Sequence, residues 1–414
     1  MNQSDLTLIK EYYLPAIKSK WHAASQSFPD FLSEVSEESK KRNEQYLQAV
    51  SDDVMKQLNK FPRIPFRRKK WKKRTVCMVN TILQEESIVN LHNTMSQQTM
   101  DSFQKELTDF LIHVRKFAPE LALDGIGQAV RNYIVYMMFK ELNQVKSEFS
   151  MEGFGYSMLY PFTDNFIDNK NYSIEQKKEY NQIIRHYLNG ENVFPTAPHQ
   201  QKTCDLLFAA TKSNDHQDST LPALLLMMLE AQENSIQQQN KSLPLTMEER
   251  VDISLYKGGI SVLIDRYYVE KEITKEDLFF YLSFGFFLQL TDDLQDIKED
   301  FEQWNQTIFT FDKQKEQEEK NVNKMLHFIH QIIASYQTEN HAFIDFILYN
   351  CYQLIYFSVI RNKDFFSEGY LKKLELYLPV SCSFYEGLKE KHVENKKRFN
   401  ADTYMNILDE MLFP

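Results

Sequence analysis

Helix breakers are scarce in this chain: only 10 glycines and 12 prolines punctuate 414 residues. Runs with period-two alternation are rare as well, which argues against a sheet-rich architecture. Cysteine is sparse too. Cys77, Cys204, Cys351 and Cys382 are scattered without a CxxC pair, and they read as reduced, buried thiols rather than a disulfide framework. The longest apolar runs, residues 221–229 and 279–288, fall well short of the roughly 20 residues that span a bilayer. The first residues lack the charged-then-apolar order of a signal peptide. Positive charge is in deficit: a formal net charge of −10 repels polyanions outside local basic patches, so nucleic acid is not an expected partner. These absences together predict a soluble, cytoplasmic protein.

What is present points to helices. Hydrophobic residues make up 43% of the chain and aromatic residues 14%, ample for a large core, and apolar positions recur at spacings of three and four. The fold expected is all-α. Residues 1–75 are read as a loosely attached N-terminal helical region and residues 76–414 as one catalytic unit, because no break has the composition of a linker. The N-terminal region ends in Phe61-Pro62-Arg63-Ile64-Pro65-Phe66-Arg67-Arg68-Lys69-Lys70-Trp71-Lys72-Lys73-Arg74, where two prolines interrupt any helix and eight basic residues crowd together. A solvated loop is the first reading of residues 63–74, peripheral attachment to a membrane surface the second, and diphosphate contact the third. Further on, Gly153 and Gly155 are expected to mark a break before the segment that follows Pro161. Residues 312–323 are expected to form either an exposed helix or a loop.

Chemistry is concentrated in Thr291-Asp292-Asp293-Leu294-Gln295-Asp296-Ile297-Lys298-Glu299-Asp300, directly after an aromatic run. On one continuous helix, Asp292 and Asp296 share a stripe, with Glu299 and Asp300 a turn further on. Like charges at that spacing are unfavourable unless a cation compensates them. Magnesium suits the role, as a hard ion that takes carboxylate oxygens and completes its shell with phosphates and water. Gly285 and Gln289 continue the stripe upward, leaving room and an amide above the carboxylates. A second pair, Asp164 and Asp168, lies 128 residues before Asp292 with the same one-turn spacing. Alone, such a pair is common on solvated helix faces. Between the two lies Tyr256-Lys257-Gly258-Gly259, which reads equally as a tight helix crossing or as a lysine placed for a phosphate. His327 and His330 lack a nearby acidic third ligand and read as structural.

These motifs resemble those of class I isoprenoid synthases. Leu288-Gln289-Leu290-Thr291-Asp292-Asp293-Leu294-Gln295-Asp296 resembles the second aspartate-rich motif of prenyltransferases. Lys257-Gly258-Gly259 resembles the Lys-Thr element that precedes it, with Gly in place of Thr. Asp164 to Asp168 is similar to the DxxxD first motif of squalene synthase-like enzymes. The best likeness is to the bacterial large terpene synthases, the tetraprenyl-β-curcumene synthase group, and it covers roughly residues 120–300. It implies one large helical bundle around a deep central cavity, holding a polyprenyl diphosphate through roughly three magnesium ions. Asp164 and Asp168 would hold metal on one side, and Asp292, Asp293 and Asp296 on the other, with Glu299 and Asp300 behind them. Lys257 is the first candidate for the diphosphate, with Gln289 and Arg361 beside it and Arg185 and Arg131 as weaker additions. Aromatic residues, among them Phe166, Phe287, Tyr133, Phe149, Phe154, Tyr156, Phe162 and Phe284, would supply the faces that line a carbocation cavity. The activity implied is ionisation of one prenyl diphosphate followed by cyclisation or deprotonation to a terpene. Two alternatives stay open. One is a trans-prenyltransferase or squalene/phytoene-synthase-like enzyme joining two prenyl diphosphates, although the Gly-Lys-Arg element of chain elongators is missing. The other is a non-catalytic helical scaffold. Dimers are common among the proteins it resembles, so a homodimer is a further expectation.

Overall fold

Serine and threonine residues ahead of the apolar-periodic runs start the helices that build the site. Ser96, Ser150, Ser173, Thr246 and Thr274 each accept a hydrogen bond from the backbone N–H three residues on, and Thr246–Glu249 and Thr274–Asp277 close complete capping boxes. The computed structural model describes residues 3–86, 88–169, 171–212, 219–312, 314–398 and 401–413. Its helices run α1 Gln3–Leu8, α2 Leu14–Ala23, α3 Glu37–Asn59, α4 Arg68–Glu85, α5 Leu91–Thr94, α6 Gln97–Phe117 and α7 Leu123–Leu142. Next come α8 Met151–Asp168, α9 Ile174–Leu188, α10 Pro198–Thr211, α11 Thr220–Ser235, α12 Met247–Val269 and α13 Lys275–Gln295. The chain closes with α14 Ile297–Gln303, α15 Lys315–Ser335, α16 His341–Arg361, α17 Glu368–Glu375, α18 Cys382–Arg398 and α19 Ala401–Leu412. No strand occurs among the described residues, and the fold is all-α.

The centre is the antiparallel pair α12 and α13. Gly258 and Gly285 let their backbones touch: a Cβ on Gly285 would lie 2.1 Å from the Gly258 carbonyl oxygen, and one on Gly258 2.3 Å from that of Gly285. The paired-glycine element is therefore a helix crossing. A second crossing joins α8 to α10, where a Cβ on Gly155 would meet the Ala210 nitrogen at 2.5 Å. Gly153, Gly155 and Pro161 consequently lie inside one helix, not at the break the sequence suggests. At the end of the pair far from the acidic motif, Arg266 and Asp277 form a buried bridge at 3.2 Å. Between α6 and α7, Glu106 takes Lys140 at 2.9 Å and the Tyr133 hydroxyl at 3.0 Å.

The N-terminal residues belong to this core. Ile9, Tyr13, Ile17 and Trp21 repeat at i,i+4 and are all buried, and the Trp21 ring meets Phe286 and Phe328 edge-on at 5.5 and 5.8 Å. The helical region around residues 37–85 packs less deeply, with Lys40 and Trp71 as its buried residues. Residues 68–74 are helical rather than looped, because Pro65 opens a short 3-10 turn that leads directly into α4. Of residues 312–323, Lys315 onward is helix, with Glu318 and Asn321 buried. Cys204 and Cys351 are buried, but Cys77 is exposed. One helix, α16, is long and apolar enough to cross a membrane by length and composition, and 56% of its apolar window is buried inside the protein.

Gly285→Ala should destabilise the protein by about 1–3 kcal/mol or more, since two backbones must part. Gly127, inside α7 with nothing within 4 Å of its would-be Cβ, is the control. Gly127→Ala should gain up to about 1 kcal/mol from helix propensity. Denaturant unfolding of both variants checks the pair, and equal effects would contradict the crossing.

Candidate functional site

Six helices, α7, α8 and α11 to α14, contribute residues to a cavity of about 690 Å³. From α13 come Gly285, Gln289, Asp292, Asp293 and Asp296; from α12, Lys257, Ser261 and Asp265. Tyr160 and Asp164 enter from α8, and Gln128, Arg131 and Asn132 from α7, while Glu299 and Asp300 of α14 stand at the mouth. The acidic stretch is not one helix. Asp296 is the joint between α13 and α14 (φ −103°, ψ 9°), although its N–H still bonds the Asp292 carbonyl at 3.0 Å. Asn362 of the α16 C-cap donates to the last α13 carbonyls, Leu294 at 2.9 Å and Gln295 at 3.0 Å, so the break leaves them satisfied.

The contacts divide the acidic residues by role. Asp164 accepts from Gln232 and lies 3.9 Å from the Lys257 ammonium. Asp293 is held by Gln289 at 2.9 Å and by Ser254 of α12 at 3.0 Å. Asp296 and Glu299 face Arg361 at 3.8 and 4.0 Å. Asp300 accepts from Asn305 at 2.9 Å. Desolvation by the protein mass around the cleft drives the Asp292 carboxyl above its ordinary range, although its side chain is open to solvent, with the charge of Asp164 adding and Lys257 and Arg131 opposing. Burial likewise pushes Asp293 up to about 8, Asp296 to about 6 and Asp300 to about 7, each reinforced by neighbouring carboxylates.

Asp265 is a residue that the motif reading missed. It lies on the Lys257–Ser261–Asp265 stripe of α12, and 1.5 Å of rise per residue sets it about 12 Å below Lys257. It is 4% exposed and accepts no hydrogen bond among the described residues. Two of the tyrosines around it are committed elsewhere: Tyr156 donates to Ser261 O at 3.0 Å, and Tyr268 to Ala210 O at 3.0 Å. Burial raises its carboxyl well above the ordinary value. Only the i,i+4 stripe signals Asp265 in the sequence, and that becomes legible once Lys257 is known to face a cavity.

Lys257, Gln289, Asp164, Asp292, Asp293 and Asp296 thus line one cavity, with Arg361 at its edge. Asp168 ends α8 one turn beyond Asp164, and its side chain lies outside the described residues. Phe166 and Phe287 are not brought to the cavity. Their chain neighbours Asn165 and Leu288 do line it, about 100° around each helix. Phe166 stacks at 4.1 Å on Tyr172, and Phe287 is wholly buried beside Phe284. Tyr133, Phe149, Phe154, Phe162 and Phe284 likewise pack between helices, and Tyr160 is the one aromatic residue lining the cavity among the described residues. Tyr156 instead joins Tyr160, Met228, Leu225 and Leu229 in an apolar side pocket of about 50 Å³. Arg185 pairs with Glu233 at 2.7 Å, away from the cavity.

Among the described residues, no three His, Cys, Asp or Glu side chains stand together as a ready metal-ligand group. The donor chemistry still fits magnesium, which is usually held by one or two carboxylates plus phosphates. Asp164 on one wall and Asp292 and Asp296 on the other are hard oxygen donors, and the carboxyls at the mouth outnumber Arg131, Lys257 and Arg361. Compared with known proteins, the chain matches no family model, no curated protein and no solved structure.

These raised carboxyls keep protons in the folded state that the unfolded chain has already released. Stability conferred at low pH is therefore lost as pH climbs from the ordinary value of 3.8 toward about 8. The melting temperature of magnesium-free protein should fall between about pH 5 and about pH 8. Asp296→Asn/Asp300→Asn should flatten that slope, and a parallel slope in the double variant would contradict this electrostatic reading.

Proposed function

We propose that this chain is a magnesium-dependent class I terpene synthase, which ionises one polyprenyl diphosphate and cyclises or deprotonates the resulting carbocation. The observation that carries this reading is the meeting of Asp164 on α8 with Asp292 and Asp296 on α13 across one cavity, with Lys257 and Arg131 between them. Magnesium held by Asp164 and Asp168 on one side and by Asp292 and Asp296 on the other would supply Lewis acidity to the departing diphosphate.

The chain's own groups have distinct tasks. Lys257, Arg131 and Arg361 offer charged donors to diphosphate oxygens, where charge develops as the carbon–oxygen bond breaks. Asp293, tied to Gln289 and Ser254, holds α13 against α12 at the level of the other carboxyls and is better placed to position them than to reach outward. The prenyl tail runs down the α12 stripe, past Tyr160 and Met228, which also border the apolar side pocket. At the floor, a cationic carbon supplies the partner Asp265 lacks, favouring its ionised form. The carboxylate then takes a proton from the carbon next to the cationic centre, and the C–H electron pair becomes the new alkene.

Purified protein with magnesium and geranyl, farnesyl, geranylgeranyl or geranylfarnesyl diphosphate should release diphosphate and yield hydrocarbon from a single substrate. Asp164→Ala/Asp292→Ala should abolish release. An elongated diphosphate formed only with isopentenyl diphosphate would favour the chain-joining alternative, and no turnover of any substrate would favour the scaffold. Asp265→Asn should leave diphosphate release intact while lowering the main hydrocarbon by about 100-fold. An unchanged product profile in that variant would remove Asp265 from the mechanism.

A further inference from the structure

The proline-bounded turn ahead of α4 sorts its residues into two sets. Phe61, Arg68, Trp71 and Lys72 turn inward. The Phe61 ring meets Trp71 edge-on at 5.0 Å, and the Arg68 guanidinium lies 5.0 Å from the Phe61 centroid and 3.3 Å from Glu410. Trp71 Nε1 donates to Gln57 O at 2.9 Å, and Lys72 Nζ to Phe413 O at 2.7 Å. The turn is thereby pinned to α3 and to the chain's C-terminal end.

The second set faces solvent. Ile64 is 45% exposed and Phe66, at the tip, 78%. Arg63, Arg67, Lys69, Lys70, Lys73 and Arg74 surround them, all exposed. Among the described residues none of these six forms an ion pair, whereas many other surface lysines and arginines of this acidic chain do. A lone exposed apolar residue is ordinary. An aromatic and an aliphatic side chain held out together on a pinned turn, ringed by unneutralised cations, form a complementary surface for something apolar beneath an anionic layer.

We propose that this turn docks the protein on an anionic lipid surface, with Phe66 and Ile64 entering the headgroup–acyl boundary and the six cations lying over lipid phosphates. Each basic residue near such a surface adds attraction, and the apolar tip adds burial. A nucleic acid would meet the same cations. It gains nothing from Ile64, however, and it must approach a chain of net charge −10. This inference stands whether or not the cavity is a terpene-synthase site, because none of its residues lines that cavity.

Sedimentation of the full chain with phosphatidylcholine vesicles, with and without phosphatidylglycerol, is the test. Binding should require the anionic lipid and weaken with salt. Lys69→Glu/Lys70→Glu should reduce affinity by about tenfold or more. Phe66→Ser should weaken binding severalfold without lowering the melting temperature, since the side chain touches no core. Binding that is absent, indifferent to both variants, or weaker than binding to a short RNA or DNA duplex at physiological salt would overturn the proposal.

Discussion

The backbone contact between Gly258 and Gly285 governs the rest of the structure. With no side chain on either residue, α12 and α13 approach more closely than any Cβ permits, and the register of every residue above and below is thereby fixed. Ser254 meets Asp293, Lys257 comes level with the carboxyls of α13, and Asp265 drops to the floor. The same register buries Arg266 against Asp277 at the opposite end. A methyl group at the crossing would displace all of these together, so packing and site chemistry are one constraint here.

The site is electrostatically strained in the form described. Asp292 stands in the cleft with Asp164 as a like-charged neighbour, and Asp293, Asp296 and Asp300 share its upward shift. Perturbed carboxyls clustered in a cleft are what catalytic and ligand-binding sites require, and this cluster supports the proposed role. Lys257 and Arg131 offset part of the charge. The remainder fits a divalent cation accompanied by an anionic substrate.

Much of this was legible in the sequence, and the failures have physical causes. The scarcity of glycine and proline together with the i,i+4 apolar spacing implied an all-α fold. The carboxylate motifs and Lys257 are visible as motifs, and Asp164, Asp292, Asp293, Asp296 and Lys257 line one cavity. Aromatic character suggests Phe166 and Phe287 as cavity walls, but packing decides: their rings turn into aromatic neighbours while Asn165 and Leu288 beside them face the cavity. Residues 153–161 looked like a break because two glycines and a proline are poor helix formers, yet the helix is needed there for α10 to cross at Gly155. Asp265 escaped notice because a lone aspartate in a helix carries no motif. Only the fold shows that Tyr156 and Tyr268 beside it donate elsewhere.

The central claim is that Asp164 and the α13 carboxyls form a clamp for diphosphate that needs magnesium. Calorimetric titration of inorganic pyrophosphate into the full chain, with and without magnesium, tests it most directly. The account predicts binding only when magnesium is present, and loss of that binding in Asp164→Ala/Asp292→Ala. Equal binding without magnesium, or undiminished binding by the double variant, would contradict it.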